Sequence, residues 1–109
     1  MIYLCNTLSL HMLPYLPCGK GKRVEIKRVS MKEASYMLQN NAFRSFFGHK
    51  KSVRHLSKYL QVSIPVCRGT IELREGDVLL VAAIQSKREW EQGLKGCPTW
   101  RFYTVQVVR

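Results

Sequence analysis

The chain has 109 residues, which is room for one small domain and excludes a second with its own core. Apolar residues make up 46%, which excludes a disordered composition. Eighteen basic and seven acidic residues give a net charge of +11, a field that attracts nucleic acid, a small oligonucleotide or an anionic membrane surface without choosing among them.

In chain order, "MIYLC" at residues 1–5 reads as a short strand. "NTLSLHML" follows, with Asn6 and Thr7 as polar cap candidates ahead of an apolar-periodic turn or two that Pro14 and Pro17 stop. No basic leader precedes this apolar stretch, and Asn6, Ser9 and His11 interrupt it, so it reads as neither a signal peptide nor a membrane span. "CGKGK" is a flexible turn without the spacing or hydroxyl of a Walker A loop. "RVEIKRV" alternates as a strand exposed on one face. Ser30 then caps the helix "MKEASYMLQNN", with Glu33 as its capping-box partner.

"AFRSFFG" is a second β-like segment whose aromatic residues belong to the core. Beyond Gly48, Val53, Leu56 and Leu60 recur at helical spacing, while Lys51, Arg54, His55 and Lys58 lie largely off that stripe. "GTIELREGD" is predicted as a strand leading into a turn at Glu75, Gly76 and Asp77. "VLLVAAI" is a continuous apolar run, the mark of a central strand. "QSKREWEQG" is polar, and "WRFYTVQVV" closes the chain as a strand. The natural solution is an α/β domain over residues 1–109, with a mixed sheet of roughly five strands flanked by helices.

The four cysteines, Cys5, Cys18, Cys67 and Cys97, are widely spaced and form no C-x-x-C pair. They read first as reduced thiols, with disulfides and metal ligation as the alternatives, and the default location is the cytoplasm. The three histidines show no H-x-H or H-x-x-x-H pattern, and the seven acidic residues form no carboxylate cluster of the two-metal nuclease kind. No metal and no cofactor are expected.

His49 stands where a strand hands over to a helix. First-turn N–H groups there lack partners inside the helix, and the helix dipole favours an anion, so a phosphate fits. Ser52 could add a hydroxyl. A histidine beside a phosphate is suited to proton transfer; the alternative is a helix-start histidine that caps or lies exposed. Metal-free cleavage of an RNA-like bond has a route that needs only such groups. The substrate's own 2′-hydroxyl attacks phosphorus, cations neutralise the equatorial oxygens and histidine protonates the leaving 5′-oxygen. Arg68, ahead of "TIEL", and Arg88, after the long apolar strand, stand at strand ends where such cations are useful.

Taken together, "YLCNTLSLHML", "FGHKKSVRHLSKYL", "CRGTIELREGDVLLVAAI" and "SKREWEQG" resemble the viral ring nuclease family. The resemblance covers nearly the whole chain. Its most specific parts are N-x-x-S-x-x-M-L from Asn6 to Leu13, G-H-x-x-S from Gly48 to Ser52, and Arg68 followed nine residues later by Asp77. It implies a homodimer that binds cyclic tetra-adenylate and cuts it without metal to linear di-adenylate with a 2′,3′-cyclic phosphate. It implies His49 as the proton donor, Arg88 as the second arginine of the reaction, and Asn6, Ser9, Arg68 and Glu91 on the substrate. "SKREWEQG" is one residue longer than the family's S-Q-R-L-E-E-G, and His11 stands where asparagine is usual. No membrane and no stable duplex partner are implied. The alternative is a basic nucleic-acid-binding or regulatory protein without catalysis, using the helix cations Lys51, Arg54 and Lys58 on a phosphate backbone.

Overall fold

A computed structural model describes residues 1–9, 12, 13, 23–85 and 99–108. Five strands and two helices follow in the order β1 (Ile2–Cys5), β2 (Arg23–Val29), α1 (Met31–Asn40), β3 (Phe43–Ser45), α2 (Lys50–Leu60), β4 (Val78–Gln85) and β5 (Thr99–Val108). The strands form one mixed sheet in the order β2-β5-β4-β1-β3. β1 runs parallel to both β3 and β4, and β5 runs antiparallel to β2 and β4. The expected mixed five-stranded sheet with flanking helices is therefore present, and the apolar β4 is its middle strand, as its unbroken hydrophobicity requires.

Period-two alternation divides the core into two layers. Leu4, Leu80, Ala82, Trp100 and Phe102 point to one face, where they pack against Ala34 and Leu38 of α1 and Val53, Leu56 and Leu60 of α2. Cys5, Leu79, Val81, Val105 and Val107 point to the other face and pack with Ile71 and Leu73. Each fully buried leucine contributes about 1.5–3 kcal/mol of apolar transfer, so both layers matter to a domain this small.

The helix ends follow the sequence. Ser30 is the N-cap of α1, and its hydroxyl oxygen accepts the Glu33 N–H at 3.1 Å. The same hydroxyl donates to the Glu33 carboxylate at 3.3 Å, so Glu33 meets the Ser30 side chain in place of the Ser30 backbone N–H that a full capping box would use. α2 ends at Gln61 in the left-handed region with φ 57°, where its N–H bonds the Ser57 carbonyl. Ser35 of α1 donates to the Leu60 carbonyl at 2.8 Å, which satisfies one orphan acceptor at that end of α2 and ties the helices together.

One expectation is corrected. "GTIELREGD" does not form a strand: residues 69–77 are irregular, with a turn at Glu75–Gly76. Gly76 takes φ +93°, which glycine adopts without strain, and Asp77 accepts the Arg74 N–H at 3.1 Å. Ile71 and Leu73 alternate because both are buried, but they lie against a face of the sheet, not along an edge. β4 already pairs with β1 and β5 and offers no free ladder to the segment that precedes it. Among the described residues, the Leu73 N–H bonds the Met12 carbonyl at 2.6 Å and Asp77 pairs with the Met1 amino group at 3.4 Å, and both hold the segment down.

In the early apolar segment the described residues show a bend at Asn6–Thr7 and a turn closed by the Met12 N–H on the Ser9 carbonyl at 3.0 Å. Leu10, His11, "CGKGK" and most of "QSKREWEQG" lie outside the described residues. Cys5, buried, and Cys67, exposed, are free thiols; Cys18 and Cys97 lie outside the described residues. Among the described residues, no helix is long and apolar enough to cross a membrane.

Candidate active site

β4, β1 and β3 run parallel; β1 and β3 end within one residue of each other, and β4 continues four residues beyond β1. In open sheets with helical connections, the crevice beyond the carboxyl ends of such strands is where ligands bind. Asn6 and Thr7 follow β1 there, Phe46 to His49 lead out of β3, and Ala83 and Ile84 lie near the end of β4. Asn6, Thr7, Phe47, His49, Ser52, Ala83 and Ile84 line one cleft of about 370 Å³. Three of the residues expected from sequence, Asn6, His49 and Ser52, thus share a cleft.

His49 is the N-cap of α2, in extended backbone conformation, and its side chain makes no capping bond to the helix backbone. Its carbonyl accepts the Val53 N–H at 3.0 Å, the first helical bond. The imidazole Nδ1 instead lies 3.3 Å from the Ser52 Oγ. Ser52 is only 2% exposed, one of two buried polar residues among those described. No acidic residue occupies the first turn of α2, and Lys50 and Lys51 begin it. A negative charge that helix N-termini usually receive from an Asp or Glu is therefore not supplied by the first turn itself.

On the other side of His49 lies a groove of about 470 Å³, lined by Gly48, His49, Lys50, Lys51, Val66, Cys67 and Arg68. Arg68 reaches it because the chain returns beside β3: the Cys67 N–H donates to the Phe47 carbonyl at 3.1 Å. The Arg68 Nε donates to the Gly48 carbonyl at 3.5 Å. A Cβ at Gly48 would stand 2.7 Å from the Arg68 Cγ, so glycine is what lets the arginine stem lie across the turn. His49 lines both hollows, with a polar cleft on one side and three cations on the other.

Ser9 lies in the turn beyond Asn6, and its side chain is half-buried. It is not among the described residues lining either hollow. Arg88 and Glu91 lie outside the described residues. The roles of Gly48 as a seat for Arg68 and of Phe47 and Ile84 as lining residues were not read from sequence. They depend on strand order and on a return of the chain that spacing does not reveal. A hollow of about 430 Å³ beside Arg28 and Arg101, and another of about 590 Å³ along β3, offer no histidine. Among the described residues, no three His, Cys, Asp or Glu side chains converge as a metal-binding group.

His55 takes a different part. It accepts the Trp100 indole N–H on Nδ1 at 2.9 Å and stacks between Tyr59 and Trp100. Burial, and after it the charge of Lys58, hold its pKa below the ordinary 6.5. The indole only donates, so protonation of Nδ1 breaks that bond. Between the folded and unfolded pKa values the unfolded chain binds more protons. The stabilisation is therefore full above about pH 6.5 and is lost as pH falls below it. His55→Gln keeps an acceptor and removes the titration. The Tm of the native chain should fall relative to that of His55→Gln between about pH 7.5 and 5, by a few degrees for a bond worth about 1 kcal/mol. A difference that stays constant across this range refutes the account.

A family model and a viral relative place the chain by sequence, and a solved structure matches its fold. The STIV B116-like family model matches residues 2–95. Uncharacterized protein 26 of Sulfolobus islandicus filamentous virus (isolate Iceland/Hveragerdi) is 32% identical over 89 residues, covering 82% of this chain and 72% of that protein. The structure of B116 of Sulfolobus turreted icosahedral virus superimposes with a TM-score of 0.71 at 18% identity, over 96% of this chain and 97% of the other. That likeness is one of fold. The chain belongs to the STIV B116-like family of viral proteins.

Proposed function

We propose that this protein is a metal-independent ring nuclease for cyclic tetra-adenylate. It binds the ring and cuts it to linear di-adenylate with a 2′,3′-cyclic phosphate, which switches off type III CRISPR signalling in the host cytoplasm. The observation that carries the reading is the position of His49. It sits at the exposed start of a helix, just beyond the end of β3, with Arg68, Lys50 and Lys51 in the adjoining groove. In each cut the 2′-oxygen forms a bond to phosphorus as the bond to the 5′-oxygen breaks. The 2′-hydroxyl loses its proton to solvent, and His49 gives one to the leaving oxygen. The cations and the helix N–H groups hold the charge on the phosphate. Arg88 and Glu91, which the sequence resemblance assigns to the same reaction, add a second cation and a substrate contact.

The ring carries four phosphates and has internal rotational symmetry. A two-fold homodimer offers the same set of groups to opposite halves of it, so two cuts yield two identical products. Light scattering on the free protein should report a dimer.

The decisive test is incubation of the protein with cyclic tetra-adenylate in excess chelator, with products identified by mass. The expected product is the linear di-adenylate with a cyclic end. Absence of binding and cleavage at any protein excess sinks the proposal. Strict dependence on added metal overturns the mechanism. Tight binding without cleavage favours the non-catalytic regulatory reading instead.

A further inference from the structure

We infer that Ser52 is a positioning residue: its buried hydroxyl accepts the Nδ1–H of His49, fixes the imidazole, and leaves Nε2 as the nitrogen that exchanges a proton with substrate. The inference deepens the reading of His49 as proton donor and rests on it. It also assigns Ser52 a role distinct from that of a substrate contact.

Three observations carry it. First, Ser52 sits in the third position of α2, one turn above the N-cap residue, so its side chain and that of His49 meet on the same side of the helix start. Second, Ser52 is 2% exposed while His49 is exposed. A buried hydroxyl needs a partner, and the His49 Nδ1 at 3.3 Å is the one described for its Oγ. Third, the imidazole does not cap the helix backbone, so its Nδ1 is not held by a main-chain N–H. A main-chain N–H would require Nδ1 to accept, and would block the cationic form. A serine hydroxyl both donates and accepts. It therefore tolerates the imidazolium, in which Nδ1 must carry a proton, and the neutral ring left after Nε2 has given its proton away.

The consequence is a choice of nitrogen. The Nδ1 edge is turned toward the buried hydroxyl, and the ring geometry turns Nε2 away from it. A general acid needs its reactive nitrogen held at a defined angle to the leaving oxygen, and the hydroxyl supplies that constraint. Protons balance without a further group: Nδ1 keeps its hydrogen throughout, and only the Nε2 hydrogen moves.

The test uses the free protein first. Nitrogen-15 NMR of the ring, with His49 identified by the loss of its signals in His49→Gln, should show the neutral His49 as the Nδ1–H tautomer. Ser52→Ala should shift it toward Nε2–H, the form that an unrestrained histidine favours in water, and Ser52→Thr should restore the native pattern. With cyclic tetra-adenylate, Ser52→Ala should cut more slowly, by less than the roughly 10²- to 10⁴-fold that loss of the acid itself costs. Its ring affinity should change less than about twofold. An Nε2–H tautomer in the native chain, or a tautomer unmoved by Ser52→Ala, overturns the inference. So does a loss of ring affinity that outweighs the loss of rate, which would make Ser52 a substrate contact. If no variant cuts the ring yet the tautomer shifts as expected, the nuclease reading falls and the pairing of Ser52 with His49 stands.

Discussion

His49→Ala should slow single-turnover cleavage of cyclic tetra-adenylate by about 10²- to 10⁴-fold, the range that loss of a general acid costs. The fold should survive, because the His49 side chain is exposed and makes no capping bond to the helix. Ring binding should survive too, because the first-turn N–H groups of α2 and the cations Lys50, Lys51 and Arg68 remain in the adjoining groove. Arg68→Ala should behave differently. It removes a charged partner of the phosphate, so affinity and rate fall together, and the salt dependence of binding becomes shallower. Equilibrium binding at two salt concentrations, beside single-turnover rates, separates these patterns. If folded His49→Ala cuts at the native rate, His49 is not the acid, and the start of α2 is an ordinary helix start.

The contrast between these residues bears on what the chain itself disclosed. His49 and Ser52 were legible because both lie within one helical turn, where spacing alone fixes proximity. The capping of α1 by Ser30 was legible for the same reason. The stripe Val53, Leu56, Leu60 was readable because burial acts on a local period; "RVEIKRV" was readable as a strand, but its alternation did not report burial, since Ile26 is 57% exposed. "TIEL" misled because alternation reports burial on one side, not the presence of a hydrogen-bonded neighbour, and β4 had no vacancy for it. The approach of Arg68 to Gly48 was not legible as a contact. It depends on the Cys67 N–H meeting the Phe47 carbonyl, twenty residues away along the chain. The polar cleft joins residues after β1 and β3 to the last part of β4, and only the strand order brings them together. Family resemblance named Asn6, Ser9, Arg68, Arg88 and Glu91. The structure describes the first three and brings Asn6 into the cleft with His49, while Arg68 lies across the turn from it.

The floor of this site is also the core, and Phe47→Ala tests that link. Phe47 is 1% exposed and lines the cleft beside His49. It belongs to the layer that joins α2 to the sheet, with its ring centroid 6.1 Å from that of Trp100 at an interplanar angle of 59°. Tilted aromatic pairs of this kind add to the value of the buried area. Its main chain is equally engaged, with the N–H on the Ser45 hydroxyl at 3.4 Å and the carbonyl on the Cys67 N–H. Truncation to alanine keeps those main-chain bonds but removes the ring from a packed layer. The expected loss is about 3–5 kcal/mol, against a total of about 5–15 kcal/mol for a typical domain. At about 4–8 °C per kcal/mol for a domain of this size, Tm should fall by more than about 10 °C. Phe47→Leu fills most of the space and should lose less than half as much. The rate should follow packing: in the cold, where both variants are folded, alanine should cut more slowly than leucine because His49 and the return to Arg68 rest on the same wall. Denaturant unfolding of the three proteins, paired with single-turnover rates well below the lowest Tm, measures both effects. A loss of under about 1 kcal/mol in Phe47→Ala would mean that the ring is not packed as described. Equal rates for all three folded proteins would mean that the core does not position the acid.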